Sequence, residues 1–378
     1  MRTLKVALVA GARPNFVKIA PLARRLATEG LPHFVIHTGQ HYDHNMSEVF
    51  FEQLGLPKPD YFLGVGSGTH TYQTAKAMLA LEEAYAEIEP DLVMVVGDVN
   101  STLAGALAAV KADIPVAHVE AGLRSYDRSM PEEINRVLTD ADENLKREGI
   151  DAGRIFFVGN IMIDTLVHLR EEIARSTVVG DLGLVPGGYI YITLHRPGNV
   201  DNPDTLREIA DALEDTGGLG LRMVFPVHPR TKKSLEAHGL LDRFSRIGNL
   251  LLCDPVGYVD SLALTGAAKV VLTDSGGLQE ESCFLGVPCL TLRPNTERPI
   301  TIAMGTNKLL DQGAWQMVGE VKRILSGEER GGRVPELWDG RTAERIVRVI
   351  KEEFFLKAHW PGNASPRPRR GMNEEAGG

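Results

Sequence analysis

Several polar side chains come directly after short apolar runs of the chain, and their types could do acid–base chemistry. Asp98 follows the apolar run at residues 92–97, and Glu120 and His195 follow similar runs. Carboxylates can remove and return protons, and a histidine can stabilise a departing phosphate. Because ligands bind beyond the carboxyl ends of parallel strands, we expect these side chains to face one another across a cleft.

Glu132 and Glu133 are two further carboxylates of the first half, and two interpretations of them are open. Both follow Pro131, and acidic side chains at such a position stabilise the N-terminus of a helix. The alternative is that they join Asp98 and Glu120 as acid–base groups in the cleft.

Residues 274–277, Asp-Ser-Gly-Gly, are the sharpest local signal. Small residues between a strand and a helix let backbone N–H groups approach an anion, although a plain helix cap is the other interpretation. No Walker sequence occurs, and no Gly-x-Gly-x-x-Gly follows a strand. With Arg13 and Arg298 available, the segment fits the diphosphate of a nucleotide sugar better than ATP or a nicotinamide cofactor. The glycine-rich stretch 64–69 follows no clear strand, and we expect a mobile loop there.

The composition excludes several classes of protein. The 378 residues carry 41 Lys and Arg against 50 Asp and Glu, a net charge of −9, and no long basic run precedes residues 367–370. Nucleic acid is therefore excluded as the main partner. The apolar runs have the length of strands, so we expect no membrane span. The three cysteines have neither metal-ligand spacing nor a disulfide pattern, and we expect a cytoplasmic protein without a metal site.

Apolar runs alternate with amphipathic stretches, which predicts parallel sheets covered by helices on both faces. The expected fold class is α/β, with two Rossmann-like, doubly wound domains at residues 1–175 and 176–358. Residues 176–188, rich in Gly, mark the linker. The last helix, 341–357, is free to pack back on the first domain. We expect residues 359–378, rich in Pro, Gly and Arg, to be disordered.

Hydrophobic periodicity places the individual elements. The predicted strands are residues 5–9, 34–38, 92–97, 115–119, 189–194, 222–227, 250–253, 269–273 and 288–292. The predicted helices are residues 17–28, 46–54, 101–111, 204–214, 260–265, a helix that starts at 278, and 341–357.

Nine motifs occur in order between residues 11 and 299, and a weaker match covers 338–350. They are residues 11–21 (GARPNFVKIAP), 97–98 (GD), 118–124 (HVEAGLR), 131–136 (PEEINR), 159–164 (GNIMID), 195–196 (HR), 225–229 (FPVHP), 273–281 (TDSGGLQEE) and 296–299 (TERP). Each motif alone is weak. Together they resemble the non-hydrolysing UDP-N-acetylglucosamine 2-epimerases, over nearly the whole chain except the tail.

The resemblance implies the fold called GT-B, with the active site between two Rossmann-like domains, and a homodimer. It implies an isomerase that interconverts UDP-GlcNAc and UDP-ManNAc with no cofactor. The C2 hydrogen of the sugar is not next to a carbonyl, so simple deprotonation is too slow. Breaking the anomeric C–O bond to UDP as the C2 proton leaves gives a 2-acetamidoglucal. UDP then adds back while the proton returns to the opposite face.

Site residues follow from the resemblance motif by motif. The catalytic residues would be Asp98, Glu120, Glu132 and His195, with the carboxylates transferring protons and His195 facing the leaving diphosphate. The substrate-binding residues would be Arg13, Lys18, His228, Ser275, Gly276, Gly277, Glu281 and Arg298. Glu281 would bind the ribose hydroxyls. For His228 the sequence favours a structural role slightly over contact with a ligand.

The chain departs from the family pattern in two places. Residues 139–141 lead directly into 142–144, where the family has a further strand and loop of about ten residues. Either that strand is deleted, which would displace Glu132, or the sequence omits a segment of the natural chain. The second is favoured, because losing an internal strand destabilises a parallel sheet. Residues 42–45 also differ from the loop that binds a second UDP-GlcNAc in some members, so we expect no allosteric activation.

Other functions stay open at this level. A 2-epimerase of another UDP-sugar, such as a UDP-diacetamido-glucuronate, needs an extra cation near C6, for which Arg196 or Arg230 could serve. A GT-B glycosyltransferase would bind a UDP-sugar similarly, but the number of strand-end carboxylates argues against it. A silent UDP-sugar sensor is disfavoured unless the gap after Asp140 is genuine.

Overall fold

The computed structural model describes residues 3–39, 51–127, 130–137, 146, 149–328 and 331–356, which form two parallel β-sheets with packed helices. The first sheet contains β1 (Val6–Ala10), β2 (His33–His37), β3 (Tyr61–Phe62), β4 (Leu92–Val96) and β5 (Val116–Val119). The second contains β6 (Tyr189–Thr193), β7 (Arg222–Pro226), β8 (Leu250–Cys253), β9 (Val270–Thr273), β10 (Cys289–Thr291) and β11 (Asn307–Leu309).

The helices of the first half are α1 (Arg13–Thr28), α2 (His70–Ile88), α3 (Asn100–Lys111), α4 (Pro131–Val137), α5 (Ile161–His168), α6 (Arg170–Arg175) and α7 (Val178–Asp181). Those of the second half are α8 (Pro197–Val200), α9 (Pro203–Gly217), α10 (Pro229–Ala237), α11 (Leu241–Arg246), α12 (Tyr258–Ala267), α13 (Gly276–Leu285), α14 (Pro299–Ala303), α15 (Gln316–Leu325) and α16 (Thr342–Leu356). Within the described ranges, no helix has the length and apolarity that crossing a bilayer requires.

Both sheets have the doubly wound order. The first runs β3-β2-β1-β4-β5 and the second β11-β10-β9-β6-β7-β8, and the neighbouring strands pair in parallel. In each sheet the chain first winds outward and then returns to the other side of its first strand. This creates a switch point between β1 and β4, and another between β6 and β9, where ligands bind in such sheets. The expected α/β fold class is confirmed.

Strand β1 shows why these runs form central strands. Leu8 and Ala10 pack on one face of the sheet with Phe16 of α1, whereas Ala7 belongs to the core on the other face with Leu81 of α2. All are buried. A strand that is apolar on both faces gains from two helical layers, at about 1.5–3 kcal/mol for each large aliphatic side chain.

The last helix, α16, packs on α1 and α5 of the first half. Asp164 of α5 accepts hydrogen bonds from the first backbone N–H groups of this helix, those of Thr342 at 3.0 Å and Ala343 at 2.7 Å. The carboxylate thus satisfies donors that have no partner inside the helix.

Some predicted elements were wrong or incomplete. Helix α2 was not predicted, α1 begins four residues before the predicted start, and α7 lies inside the predicted linker 176–188. The stretch 64–69 is a loop, as predicted, and Lys76 donates to its first two carbonyl oxygens. It follows β3, so the expectation that no strand precedes it was wrong. Residues 51–53 are helical, while the start of the predicted helix 46–54, the junction 138–145 and the tail 359–378 lie outside the described residues.

Candidate active site

Asp98 follows β4 at the first switch point and is held in an ion pair. Arg136 of α4 donates from Nε to Asp98 Oδ2 at 2.8 Å. Burial alone would raise the pKa of the Asp98 carboxyl, but the charges of Arg136, Lys18 and Arg298 outweigh it and lower the pKa below the ordinary value. Asp98 is therefore a carboxylate at neutral pH, able to accept a proton.

The N-terminus of α1 brings Lys18 to the same place. The side chain of Asn15 accepts from the N–H groups of Gly11 and Ala12 and donates to the carbonyl of Val96, which ties α1 to the end of β4. A Cβ atom at position 97 would lie 2.9 Å from Lys18 Nζ. Gly97 lets the lysine approach the end of β4.

Glu120 joins the two halves of the chain. It follows β5 with a φ of 64°, a left-handed conformation that costs a residue with a side chain about 1–3 kcal/mol. Lys18 pairs with one carboxylate oxygen, and Arg298 of the second half donates from Nη2 to the other at 2.5 Å. These ion pairs hold the strained backbone in place. They also keep the Glu120 carboxylate next to Lys18 and Arg298, two of the cations that act on Asp98.

The structure separates the roles of the two glutamates after Pro131. Glu133 is buried and accepts hydrogen bonds from the N–H and Oγ of Ser125 and from Arg136. These contacts agree with the interpretation in which Glu133 stabilises the local structure. Glu132 is partly exposed, and its charge acts on Arg196 of the second half. Of the pair, Glu132 is the one that faces the cleft.

His195 and Asp274 meet at the second switch point. Asp274 is fully buried and accepts from the backbone N–H groups of His195 and Arg196 and from the side chain of Asn199. One of its oxygens lies 3.0 Å from His195 Nδ1. Burial raises the pKa of Asp274, but the histidine outweighs it and the pKa is lowered. A carboxylate on Nδ1 fixes the ring and leaves Nε2 for a ligand.

His228 is the N-cap residue of α10. Its Nδ1 accepts from the N–H of Arg230 at the start of α10. Its ring also lies 5.5 Å from the ring of His195. Burial is the main cause that lowers the pKa of His228, and the charges of His195 and Arg13 lower it further. Arg13, from the first half, is thus close enough to His228 to act on it across the cleft.

Helix α13 has an N-terminus suited to an anion. Ser275 is its N-cap, yet its side chain makes no capping hydrogen bond, so the first N–H groups keep their positive potential. At Gly276 a Cβ atom would lie 2.7 Å from Glu297 Oε1, and at Gly277 it would contact Met162. The glycines allow close packing at this end of the helix.

Glu281 lies in the first turns of α13 and is buried. Its Oε1 accepts from the Tyr258 hydroxyl at 2.7 Å, and burial raises its pKa to about 7. Arg298 lies between two carboxylates, Glu120 and Glu280. Both predicted binding residues are thus buried groups with partners in the protein.

A second set of ion pairs crosses between the halves at Glu297. Arg293 donates to Glu297 at 2.7 Å, and Nη2 atoms of Arg136 and Arg196 lie 3.6 Å from its other oxygen. Burial opposes ionisation of Glu297, but the arginines outweigh it and hold its pKa well below the ordinary range.

Comparison with known proteins places the chain. The family model described as UDP-N-acetylglucosamine 2-epimerase matches residues 24–351. The chain belongs to this family. It is 42% identical to the UDP-N-acetylglucosamine 2-epimerase of Methanocaldococcus jannaschii, over 92% of this chain and 99% of the relative. It is 40% identical, with the same coverage, to a UDP-2,3-diacetamido-2,3-dideoxy-D-glucuronate 2-epimerase of Pseudomonas aeruginosa.

A solved structure of the Methanocaldococcus jannaschii UDP-GlcNAc 2-epimerase, in complex with UDP-GlcNAc and UDP, superposes with a TM-score of 0.85 at 42% identity, covering 92% of this chain and 99% of that one. The expected family, and an enzyme of the isomerase class, are confirmed. These members of the 2-epimerase family thus match 92% of this chain.

Three residues that contact the candidate site residues, rather than a ligand, were not predicted from the sequence. Arg136 holds Asp98, Asp274 orients His195, and Glu280 contacts Arg298. Asp274 had a signal, since it ends a strand and opens the Ser-Gly-Gly segment. Arg136 and Glu280 lie in the motifs at 131–136 and 273–281, but their contacts could not be predicted because each lies inside a helix whose partners come from distant parts of the chain.

Proposed function

We propose that this epimerase interconverts UDP-GlcNAc and UDP-ManNAc by elimination of UDP and re-addition. The observation that carries the proposal is the pairing of two switch points: Asp98 and Glu120 at one, and His195 held by Asp274 at the other. Proton acceptors and a cationic partner for a leaving phosphate thus come from opposite halves. The name of the Methanocaldococcus jannaschii relative supports the same reaction.

In the proposed reaction the C2 proton passes to a carboxylate while the electrons of the anomeric C–O bond leave with UDP. Asp98, Glu120 and Glu132 supply the proton-transfer groups on the two sides of C2. His195 and the N-terminus of α13 stabilise the diphosphate as it leaves. The bound 2-acetamidoglucal then takes UDP back at C1 and a proton on the opposite face of C2.

The binding residues divide in the same way. Ser275, Gly276 and Gly277 bind phosphate at the helix N-terminus, and Glu281 binds the ribose beside Tyr258. Arg13 faces His228 and adds positive charge from the first half. Lys18 and Arg298 both pair with Glu120, so we assign them to holding this carboxylate at the edge of the diphosphate site.

A second substrate is a UDP-diacetamido-glucuronate, favoured by the Pseudomonas aeruginosa relative. Its C6 carboxylate requires a cation. Arg230 is engaged by Asp201 through two hydrogen bonds at the surface, whereas Arg196 lies beside Glu297 and within the field of Glu132. Arg196 is therefore our candidate for that contact.

The two substrates are tested side by side. The protein is incubated with UDP-GlcNAc, or with UDP-2,3-diacetamido-2,3-dideoxy-D-glucuronate, and the products are separated by ion-exchange chromatography. We expect UDP-ManNAc from the first and no reaction of the second. Turnover of only the second would establish the alternative substrate, and transfer of sugar to an added acceptor would contradict epimerisation.

We further propose a cytoplasmic homodimer with the domains divided near residue 176. Leu79 of α2 and Val110 of α3 are about two-thirds exposed, and an apolar face of this kind suits a second copy. The cysteines Cys253, Cys283 and Cys289 are free thiols, as is usual in a reducing compartment. Light scattering should give about twice 41.3 kDa, and a monomer would contradict the dimer.

A further inference from the structure

Glu280 is a buried carboxylate to which the proposed reaction gives no task. It lies in α13 beside Glu281 and is 5% exposed. Its Oε1 is 3.0 Å from Arg298 Nε, and its Oε2 has no hydrogen-bond partner. A buried carboxylate costs free energy unless it is paired. Arg298 is the partner that Glu280 has, but this pairing alone does not give Glu280 a role in the reaction.

The contact continues to the candidate catalytic carboxylate. Arg298 donates from Nη2 to Glu120 at 2.5 Å, and Glu120 pairs with Lys18. The side chains of Arg298 and Lys18 are 7% and 8% exposed, and that of Glu120 is 13% exposed. Two carboxylates and two cations therefore alternate in a row, from α13 of the second half to α1 of the first.

The order of charges decides what Glu280 can do. Without its negative charge, Glu120 would lie between two cations with nothing to balance them. Charges in a site from which water is excluded act on one another more strongly than in water. Such an excess of positive charge would weaken Glu120 as a proton acceptor, because uncompensated cations favour the ionised form of a carboxylate more strongly than cations that a second carboxylate balances.

We propose that Glu280 is a positioning residue for epimerisation. Its carboxylate holds the Arg298 guanidinium in the orientation that grips Glu120, and its charge keeps Glu120 able to accept a proton from C2. This proposal rests on the proposed function. It assigns Glu280 no contact with the substrate.

The groups that face Glu280 predict a pH dependence. They are Arg298, Glu120, Lys18 and Glu281, together with the Tyr258 hydroxyl and the Cys283 thiol, both of which its charge reaches. Burial raises the pKa of Glu280 to about 7, although Arg298 opposes the shift. As the pH falls through about 7, Glu280 becomes neutral and Glu120 loses its balancing charge. Turnover of the wild-type protein should therefore fall as the pH drops below about 7, while the Kd for UDP stays the same.

The test compares E280Q, E280D and the wild-type protein between pH 6 and pH 8. We expect E280Q to lose about tenfold in kcat or more, to lack the fall in turnover near pH 7, and to keep the Kd for UDP within about twofold. E280D restores the charge, and should recover the pH dependence and part of kcat. Glu320→Gln, a glutamate paired with Lys308 and Arg323 outside this row, is the matched control and should match the wild type.

Three outcomes would overturn the proposal. They are a wild-type kcat in E280Q, an unchanged pH profile in E280Q, and a loss of UDP affinity as large as the loss of kcat. If E280Q does not fold, E280D decides, since its shorter side chain should weaken kcat without changing the Kd for UDP. Failure of the wild-type protein to exchange the C2 hydrogen refutes the proposed function instead, and this proposal with it.

Discussion

Asp98, which is partly buried, and Asp274, which is fully buried, are carboxylates that their surroundings keep ionised, but for different tasks. Asp98 is held by a guanidinium and lies in the field of three cations, which keep it ionised and fixed in place. Asp274 accepts backbone and side-chain N–H groups on both oxygens and serves the ring of His195. The hydrogen-bond and ion-pair partners of each carboxylate thus decide whether it is placed to transfer a proton or to orient a histidine ring.

The first prediction concerns Asp98. Asp98→Asn removes the proton acceptor but keeps the shape of the side chain, so C2 exchange should fall by about 100-fold or more while the Kd for UDP is unchanged. Exchange is followed by NMR and binding by calorimetry. Asp151→Asn, at an exposed turn of the same half, is the control. Equal losses of binding and exchange would show that Asp98 is structural.

The second prediction concerns the pair of Asp274 and His195. If Asp274 acts through the ring, Asp274→Asn and His195→Asn should each lower kcat, and the double variant should lose little more than the worse single variant. Asp274→Asn should also lower stability by about 1–3 kcal/mol, because its buried donors lose an acceptor. Additive losses of kcat would show that the two residues act independently.

The third prediction is a pH effect on stability at Glu281. Burial raises the pKa of its carboxyl to about 7 from 4.5. Between these values the unfolded chain has released the proton while the folded protein still holds it. Stability therefore decreases as the pH rises through this window, and the loss is complete above about pH 7.

Glu281→Gln removes this cost because the amide stays neutral. The melting temperature of the variant should exceed that of the wild type by about 2–4 °C at pH 8 and be nearly equal at pH 4.5. Its affinity for UDP should fall, since the ribose contact is lost. A difference in melting temperature that does not depend on pH would contradict the assignment.

The site residues divide by how local their signal is. Asp98, Glu120 and His195 follow strands, and their position could be predicted because strand ends of a doubly wound sheet meet at one edge. The choice between Glu132 and Glu133 could not, since it depends on Ser125 and Arg136 contacting one glutamate and not the other. The left-handed backbone at Glu120 has no signal in its residue type.

At the scale of elements, nine of the eleven strands in the described residues were predicted to within one or two residues, because buried runs of Val, Ile and Leu are distinctive, whereas the short strands β3 and β11 were not predicted. Helix α2 was not predicted, although Thr69 caps it by accepting from the N–H of Tyr72 and its sequence is rich in Ala, Leu and Glu. Helix α1 begins at Arg13 because Pro14 suits a first turn and Asn15 satisfies the preceding N–H groups. These signals were present and could have been used.

The fourth prediction concerns the junction of α5 and α16. Asp164→Ala leaves the N–H groups of Thr342 and Ala343 without their acceptor, so unfolding should need about 1–3 kcal/mol less. Urea denaturation measures the change. Asp204→Ala, in the exposed first turn of α9 with an ion pair to Arg207, should change stability by less than about 1 kcal/mol. Equal effects would mean that Asp164 does not hold the last helix.

At the scale of the whole molecule, ion pairs and a hydrogen bond join the two halves of the chain. Glu120 meets Arg298, Arg136 approaches Glu297, and Asn295 donates to Asp127 at 3.3 Å. Such contacts join parts of the chain more than a hundred residues apart, which is why periodicity predicted the two sheets but not how their edges meet. In the proposed reaction, contacts between the halves would keep the 2-acetamidoglucal and UDP bound together until UDP adds back.

The junction after α4 is where the sequence predicts a departure from the family pattern. The alignment with the Methanocaldococcus jannaschii enzyme spans 363 positions, whereas 92% of 378 residues is about 348, so roughly 15 positions have no counterpart here. In the described part of the chain, β5 forms the edge of the first sheet, and Phe156 and Phe157 are exposed. The loss of a strand after Asp140, whether by deletion or by omission of a segment from the sequence, stays a prediction, and activity tests the integrity of this half directly.

The most direct test of the central claim is proton NMR of UDP-GlcNAc incubated with the protein in D2O, with no cofactor added. Elimination and re-addition predict deuterium at C2 in step with the appearance of UDP-ManNAc. His195→Asn serves as the inactive control. Epimerisation without deuterium, or saturable UDP binding without any exchange at C2, would contradict the mechanism.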